Sequence, residues 1–293
     1  MTQSGKPEGL RRSSDSPPNW RLPTGVSDGG WDYIRSRQVA SQYDDFVKNN
    51  TLIELDWRYI LNYLPEDLQN LVIADFGTGS GRHAITLLAH GCRAVLGIDL
   101  SRAMLHEAIE KVREKMPHLR EDQFLIPVWA NLVELEGLPS QSVDFGICMF
   151  STLGMISGSD NRVRFLRHAH RILKPGSRFI LHVHNYWYQC RYPGGIRWMF
   201  RNWVRSFMGK SEIGDRLSDY RSIRNMFIHS FRYSELQRVL DTSGFEVREV
   251  LSLRGGNLEP KNGYHIADCF RTVGWILMCE RTRGFEVRDQ SRR

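Results

Sequence analysis

The chain predicts an open α/β fold in which a mostly parallel sheet carries helices on both faces. Three observations lead there. Val72-Ile-Ala-Asp-Phe-Gly-Thr-Gly-Ser-Gly-Arg-His83 reads as a buried strand, a glycine turn and a helix start. Ala94-Val-Leu-Gly-Ile-Asp99 reads as a second apolar strand, ending in an acid. Ala84, Ile85 and Leu88, then Leu105, Ala108, Ile109 and Val112, recur at helical spacing behind these strands. A strand, a glycine turn and a helix together build a ligand site at the carboxyl edge of such a sheet. Glycines let backbone N–H groups approach a ligand closely, and the helix N-terminus favours negative charge there.

A chain of 293 residues allows one large domain or two small ones. Hydrophobic residues make up 41% and there are eight tryptophans, enough for a sizeable core. No apolar run reaches membrane-spanning length, and the amino terminus lacks the apolar stretch of a signal peptide. The five cysteines are odd in number and scattered, with no C-x-x-C. That argues against a disulfide framework or a zinc site and for a reducing cytoplasm. The formal charge is +7. An anionic partner such as tRNA or a lipid headgroup would suit it, and so would an ordinary solvated basic surface.

The elements follow in order. Residues 1–28 are rich in Ser, Pro, Gly and Arg and read as a disordered arm. Trp31, Tyr33, Tyr43, Phe46, Leu52, Leu55, Ile60 and Leu61 suggest one or two helices before the first strand. Ser101 is placed to cap the helix after the second strand. Phe124–Trp129 fits a third strand, and Pro127, which cannot donate to a ladder, puts it at an edge. Ser142–Phe150 is a fourth strand and Arg178–His184 a fifth, joined by a helix over 159–173. An aromatic insert then occupies 185–230. Within it, residues 196–208 have amphipathic helical period, with Ile196, Met199, Phe200, Trp203 and Phe207 on one face and Arg197, Arg201 and Arg205 on another. A cap helix packed on the core, a cap helix lining a pocket and a membrane-surface helix all fit that pattern. Ser234-x-x-Gln237 suggests a capping box. Phe245–Leu251 and Trp275–Glu280 look like a closing antiparallel pair, with a linker over 254–273 long enough to fold over the site. Residues 284–293 read as a loose tail.

The spacing of the glycines narrows the ligand. A dinucleotide fingerprint would need glycine where Arg82 stands, and no Gly-Lys-Ser/Thr follows to make a phosphate loop. The pattern acid-x-Gly-x-Gly-x-Gly, from Asp75 to Gly81, resembles motif I of the class I S-adenosylmethionine (SAM)-dependent methyltransferases, in their small-molecule, ubiquinone-methylase-like group. The resemblance implies a seven-stranded doubly wound Rossmann-like sheet, mostly parallel with an antiparallel last strand. It adds an amino-terminal helical lid, to which a Tyr43-Asp44 pair is suited, and one domain over 29–283 with a cap insert at 185–230. SAM is the implied cofactor. Asp75, Gly77, Thr78, Gly79 and Gly81 would hold its methionine part, and Asp99 its ribose, with Leu100 and Met104 following. Ala130, Asn131 and Leu132 would meet the adenine, Asn131 standing where the family usually has Asp but still able to accept through its amide oxygen. Phe150 and Ser151 would lie beside the transferable methyl.

The acceptor side is less specified. His182 and His184 share one face of the fifth strand. His184 and Asn185 are the leading acceptor-side candidates, with His229 and Tyr220 behind them, although a histidine taken singly is more often a hydrogen-bonded structural residue. A small, partly apolar methyl acceptor is the first reading of function. A tRNA-modifying enzyme is the second, from the basic charge and the His229-x-Phe231 segment. A non-catalytic SAM-fold subunit that docks a protein partner is the third.

Overall fold

The computed structural model describes residues 22–36, 51–220, 223–255 and 259–284. Tyr43, Asp44, Phe46, most of the expected arm and all but Gly284 of the expected tail lie outside these residues. Among the described residues, helices α1 (Asp28–Arg35) and α2 (Thr51–Leu61) precede the first strand. The core alternates β1 (Val72–Phe76), α3 (Arg82–Ala89), β2 (Ala94–Asp99), α4 (Arg102–Lys115), β3 (Phe124–Trp129) and β4 (Val143–Cys148). A one-turn helix α5 (Thr152–Met155), α6 (Ser159–Ile172) and β5 (Leu173–His184) complete the parallel part. Ser101 caps α4 as expected, its Oγ accepting from Met104 N.

The strand order is β3-β2-β1-β4-β5-β10-β8-β9, where β8 is Phe245–Arg254, β9 Lys261–Asn262 and β10 Thr272–Arg281. β1 to β5 pair in parallel, while β10 runs antiparallel between β5 and β8. β3 lies at the edge, consistent with Pro127. The sheet has eight strands rather than seven because the 254–273 linker turns back along β8. There Lys261 and Asn262 pair with Ser252 and Leu251, and Ser252 Oγ donates to Gly263 O. The linker therefore follows the far edge of the sheet instead of covering the site. β5 also starts earlier than expected, because Leu173 already pairs with Val143.

Alternation along the strands divides the core in two. Ala74, Phe76 and Ile98 pack on Phe165, Leu166 and Ile172 of α6. Ile73, Val95 and Ile147 pack on Ile60, Leu87 and Leu88 of α2 and α3. α2 is thus a core helix rather than part of a lid.

The insert after β5 holds a short 3-10 turn at Trp187–Arg191, α7 (Gly195–Phe207) and a separate hairpin of β6 (Asp215–Tyr220) and β7 (Ile223–His229). Gly29 of α1 lies so close to β7 that a Cβ there would meet Asn225 O at 2.3 Å. α7 docks through its polar side: Asn202 Nδ2 donates to the carbonyls of Glu212 and Asp215, and Asn202 Oδ1 accepts from Gly214 N. The face expected to pack on the core points outward instead, with Ile196 72% and Phe207 86% exposed.

His229 corrects a second expectation. It is fully buried, its Nδ1 2.8 Å from Asp215 Oδ1 and its Nε2 2.8 Å from Glu235 Oε1. Both ring nitrogens serve the packing of the hairpin onto α8 (Tyr233–Asp241), leaving none for a substrate. Phe231 is buried beside it, so the segment that suggested a tRNA enzyme is part of the core. α8 starts before Ser234, and Glu235, not Gln237, reaches back to the Arg232 N–H.

Burial alone would lower the pKa of His229, but its bonds to Asp215 and Glu235 outweigh this and raise it. Such a charge stabilises fully below the unfolded value near 6.5 and is lost as pH rises through the raised one. His229→Ala leaves two facing carboxylates without their cation and is expected to cost about 3 kcal/mol. Denaturant midpoints check the cost. Amide exchange in β7, corrected for intrinsic rate, should rise selectively in alkaline buffer in the wild type and lose that dependence in the variant.

Candidate active site

The parallel register of β1 and β2 brings Phe76 opposite Ile98, so both strands end at one level. The N–H groups of Gly77 and Thr78 donate to Ile98 O, at 2.8 and 3.0 Å. Gly79 N then donates to Asp99 Oδ2 at 2.9 Å, and Ser101 N to Asp99 Oδ1 at 2.8 Å. The three glycines differ in purpose. A Cβ on Gly77 would meet Thr152 Cγ2 at 2.5 Å, and one on Gly81 would meet Ala108 Cβ at 2.7 Å. These two serve close packing. Gly79, at φ +55°, has nothing within 4 Å and opens onto a cavity.

That cavity, of about 430 Å³, lies over the carboxyl ends of β1, β2, β4 and β5. Of the residues expected to hold the cofactor, Gly77, Thr78, Gly79, Asp99, Leu100, Met104, Asn131, Leu132 and Phe150 line it. Asp75, Gly81, Ala130 and Ser151 do not. Asp75 lies beneath the turn and accepts from Thr78 Oγ1 at 2.9 Å, so it shapes the site from behind. Asn131 reaches the cavity, but its amide is already engaged. Nδ2 donates to Thr24 O, and Oδ1 accepts from Val133 N. It therefore ties down the segment that carries Gly25 and Val26, which also line the cavity. Residues 22–27, placed in the arm by their composition, thus form a wall of the site.

On the acceptor side His184 lines the cavity and Asn185 does not. Asn185 is buried, donating to Cys269 O and Thr272 O and accepting from Trp187 N, so it closes the sheet rather than meeting a substrate. Tyr220 ends β6, and its side chain lies outside what is described. His182 also lines the cavity, and its Nδ1 stands 3.0 Å from Oδ1 of the fully buried Asp56. Asp56 comes from α2 and also lies 4.0 Å from Arg82. Nothing in the sequence marked it, because an acid in a helix before the first strand usually faces solvent. Desolvation pushes His184 down to about 3, His182 adding to the effect, so it is a neutral imidazole at ordinary pH. Phe150 and Ser151 both have left-handed backbone, at φ 54° and 62°. Such residues store on the order of 1–3 kcal/mol of strain each. Ser151 N donates to His182 O, which fixes the bend and sets the Phe150 ring 6.4 Å from the His182 ring.

The donor set fits a nucleoside with a charged amino-acid tail. Asp99 offers a carboxylate to a ribose diol, and burial raises its pKa against the lowering effect of the Ser101, Gly79 and Leu100 N–H groups. Leu100, Met104 and Leu132 offer an apolar slot for a planar base, and Arg82 brings a cation near the turn.

Residues 73–176 match a family model described as a methyltransferase domain. This segment is a methyltransferase domain. SAM is the cofactor of that family. The chain is 24% identical over 234 residues to the biotin biosynthesis bifunctional protein BioHC of Cellvibrio japonicus, a match covering 76% of this chain and 41% of the relative. The chain thus aligns with less than half the length of that relative. A SAM-dependent methyltransferase of Methanosarcina mazei shares the fold at TM-score 0.58 and 21% identity, over 76% of this chain and 97% of that one. So does the 1,6-didemethyltoxoflavin-N1-methyltransferase of Burkholderia thailandensis, solved with 1,6-didemethyltoxoflavin and S-adenosylhomocysteine, at TM-score 0.55 and 18% identity over 89% and 93%. These two likenesses bear on the fold alone. No helix among the described residues of the methyltransferase domain is long and apolar enough to cross a membrane.

Asp75 gives a pH signature. Burial raises its carboxyl to about 7, against the opposing effects of Thr78 and Arg82. The folded chain therefore keeps this proton longer than the unfolded chain, whose Asp titrates near 3.9. The stability it contributes is complete below about pH 4 and lost as pH rises through about 7. Asp75→Asn removes the titration and keeps an acceptor for Thr78. Urea midpoints compared at pH 4.5 and 7.5 should move in favour of the variant at the higher pH, by on the order of a few kcal/mol.

Proposed function

We propose that the protein transfers a methyl group from SAM to a small, largely apolar acceptor enclosed by the cap. The observation that carries this is one cavity with two kinds of lining, polar groups at the sheet's carboxyl edge and apolar groups from the cap. The glycine turn, Arg82, Asp99 and Leu100 make one side, and Tyr33, Met155, Met226 and Ile228 make the other. Bound SAM supplies an electrophilic methyl on a sulfonium. The chain's own part is positioning, desolvation and control of a proton.

Asp99 would accept from the ribose hydroxyls, held in place by the Gly79 and Ser101 N–H groups. The backbone of Gly77 to Gly79 and the guanidinium of Arg82 would receive the amino-acid end. On the acceptor side, the charge of the Asp56 carboxylate, 3.0 Å away but not aligned as a hydrogen bond, would draw the His182 proton to Nδ1 and leave Nε2 a lone pair. His182 is then the group placed to take a proton from an acceptor hydroxyl. His184 stays neutral beside it and orients the acceptor through hydrogen bonds. α1 and the β6–β7 hairpin exclude water from this side, which favours an uncharged acceptor.

Isothermal titration with S-adenosylhomocysteine tests the cofactor half. Asp99→Ala is expected to weaken binding by about tenfold or more, whereas His182→Gln should change it by less than about threefold. Equal affinity in wild type and Asp99→Ala overturns the ribose assignment. Transfer of a labelled methyl across a panel of aromatic and charged acceptors tests the other half. Turnover is expected with uncharged aromatic acceptors, and His182→Gln should lower it by about 100-fold or more.

A further inference from the structure

We propose that the exposed aromatic stripe of α7 docks the protein on an anionic lipid surface, the helix lying in the headgroup plane. Ile196, Phe200, Trp203 and Phe207 fall within about 60° of one another on a 3.6-residue helix. All four are at least half exposed, and Met208 extends the stripe past the helix end. Phe200 and Trp203, and Trp203 and Phe207, approach at 6.3 Å between ring centroids, so the apolar surface is continuous. A different side of the helix is engaged: Asn202 is buried in its bonds to the 212–215 segment, and Gly195 abuts the Gln189 carbonyl. The stripe therefore cannot turn inward without breaking the joint that holds the cap.

Charge identifies what covers it. From Asn185 to Ser211 there is no acid, while Arg191, Arg197, Arg201, Arg205 and Lys210 supply five cations. Arg197, Arg201 and Arg205 are exposed on a separate face, about 90°, 130° and 170° round the helix from the centre of the stripe, and none makes an ion pair among the described residues. An aromatic face on one side and an arginine-rich polar face on another, on a helix too short to span a bilayer, is the form of an interfacial helix. A second copy of the chain is disfavoured as the occupant. A two-fold contact through this face would bring together two acid-free segments that carry five cations each. The inference stands on α7 and holds whatever the methyl acceptor is.

Flotation of the full chain with vesicles tests it. Vesicles of phosphatidylcholine with about 30% phosphatidylserine should carry the protein, pure phosphatidylcholine should not, and raised salt should release it. Each cation near an anionic surface is worth about fivefold in partitioning, so the triple substitution R197Q/R201Q/R205Q should lose about 100-fold. Trp203→Ser with Phe207→Ser should abolish flotation, with far-ultraviolet circular dichroism and S-adenosylhomocysteine affinity unchanged. Absence of flotation, equal flotation on neutral lipid, or a triple variant that binds like wild type overturns the proposal. So does a concentration-dependent dimer that Trp203→Ser dissociates, which would assign the stripe to a second copy.

Discussion

The hydrogen bond from the Gly79 N–H to Asp99 Oδ2 joins the tips of two strands that are neighbours in the sheet but twenty residues apart in the chain. It forms because β1 and β2 are paired in a register that ends them together, with Ile98 O already receiving the Gly77 and Thr78 N–H groups. A one-residue slip would reverse every side chain of β1, sending Ile73 and Ala74 to the wrong cores and moving the turn off Asp99. The two hydrophobic layers thus hold the polar site in register. The same turn starts α3, packs Gly81 on α4 and places Asp99 at the cavity. Floor, acid and helix N-terminus are therefore set together.

The roof of the site is built from segments that have little in common locally. Gly25 and Val26 are held by Asn131 and by the Ser157 N–H, Tyr33 and Ile34 come from α1, and Ser218, Met226 and Ile228 come from the hairpin. The hairpin is fixed to the body by the His229 knot, into which Arg162 also reaches through its bond to Glu212. Buried charges of this kind stabilise only as a complete set. The cap is thereby linked to α6 and α8, whose other faces form the core. A mostly apolar roof lowers the local dielectric over the floor and so strengthens the polar interactions there.

Between floor and roof, β4 and β5 supply the groups nearest the acceptor side. The strained bend at Phe150 and Ser151 is tolerated because the Ser151 N–H and the His182 carbonyl pair across it. His182 and His184 lie side by side, at 5.9 Å between ring centroids, yet differ in what stands behind them. Asp56 contacts the first, and burial governs the second. Two identical side chains on one strand face thus have different chemistry, because a helix from before the sheet packs under only one of them.

The sequence alone determined what depends on local period and on turn chemistry. The strand–glycine–helix unit, the acid that ends β2, the capping of α4 by Ser101, the edge position of β3 and the closing antiparallel pair were all legible, because each is written within a few adjacent residues. So were many of the residues that line the cavity, from Gly77 to Phe150. Tertiary structure decided everything that needed two distant segments to meet. Asn185 and His229 looked free for chemistry and are instead consumed by backbone carbonyls and carboxylates from far along the chain. Asp56 and Gly25 carried no local signal and belong to the site. The direction of the α7 stripe was open for the same reason. A helical period says that one face is apolar, but only the packing of Asn202 and Gly195 against their neighbours says which way that face points.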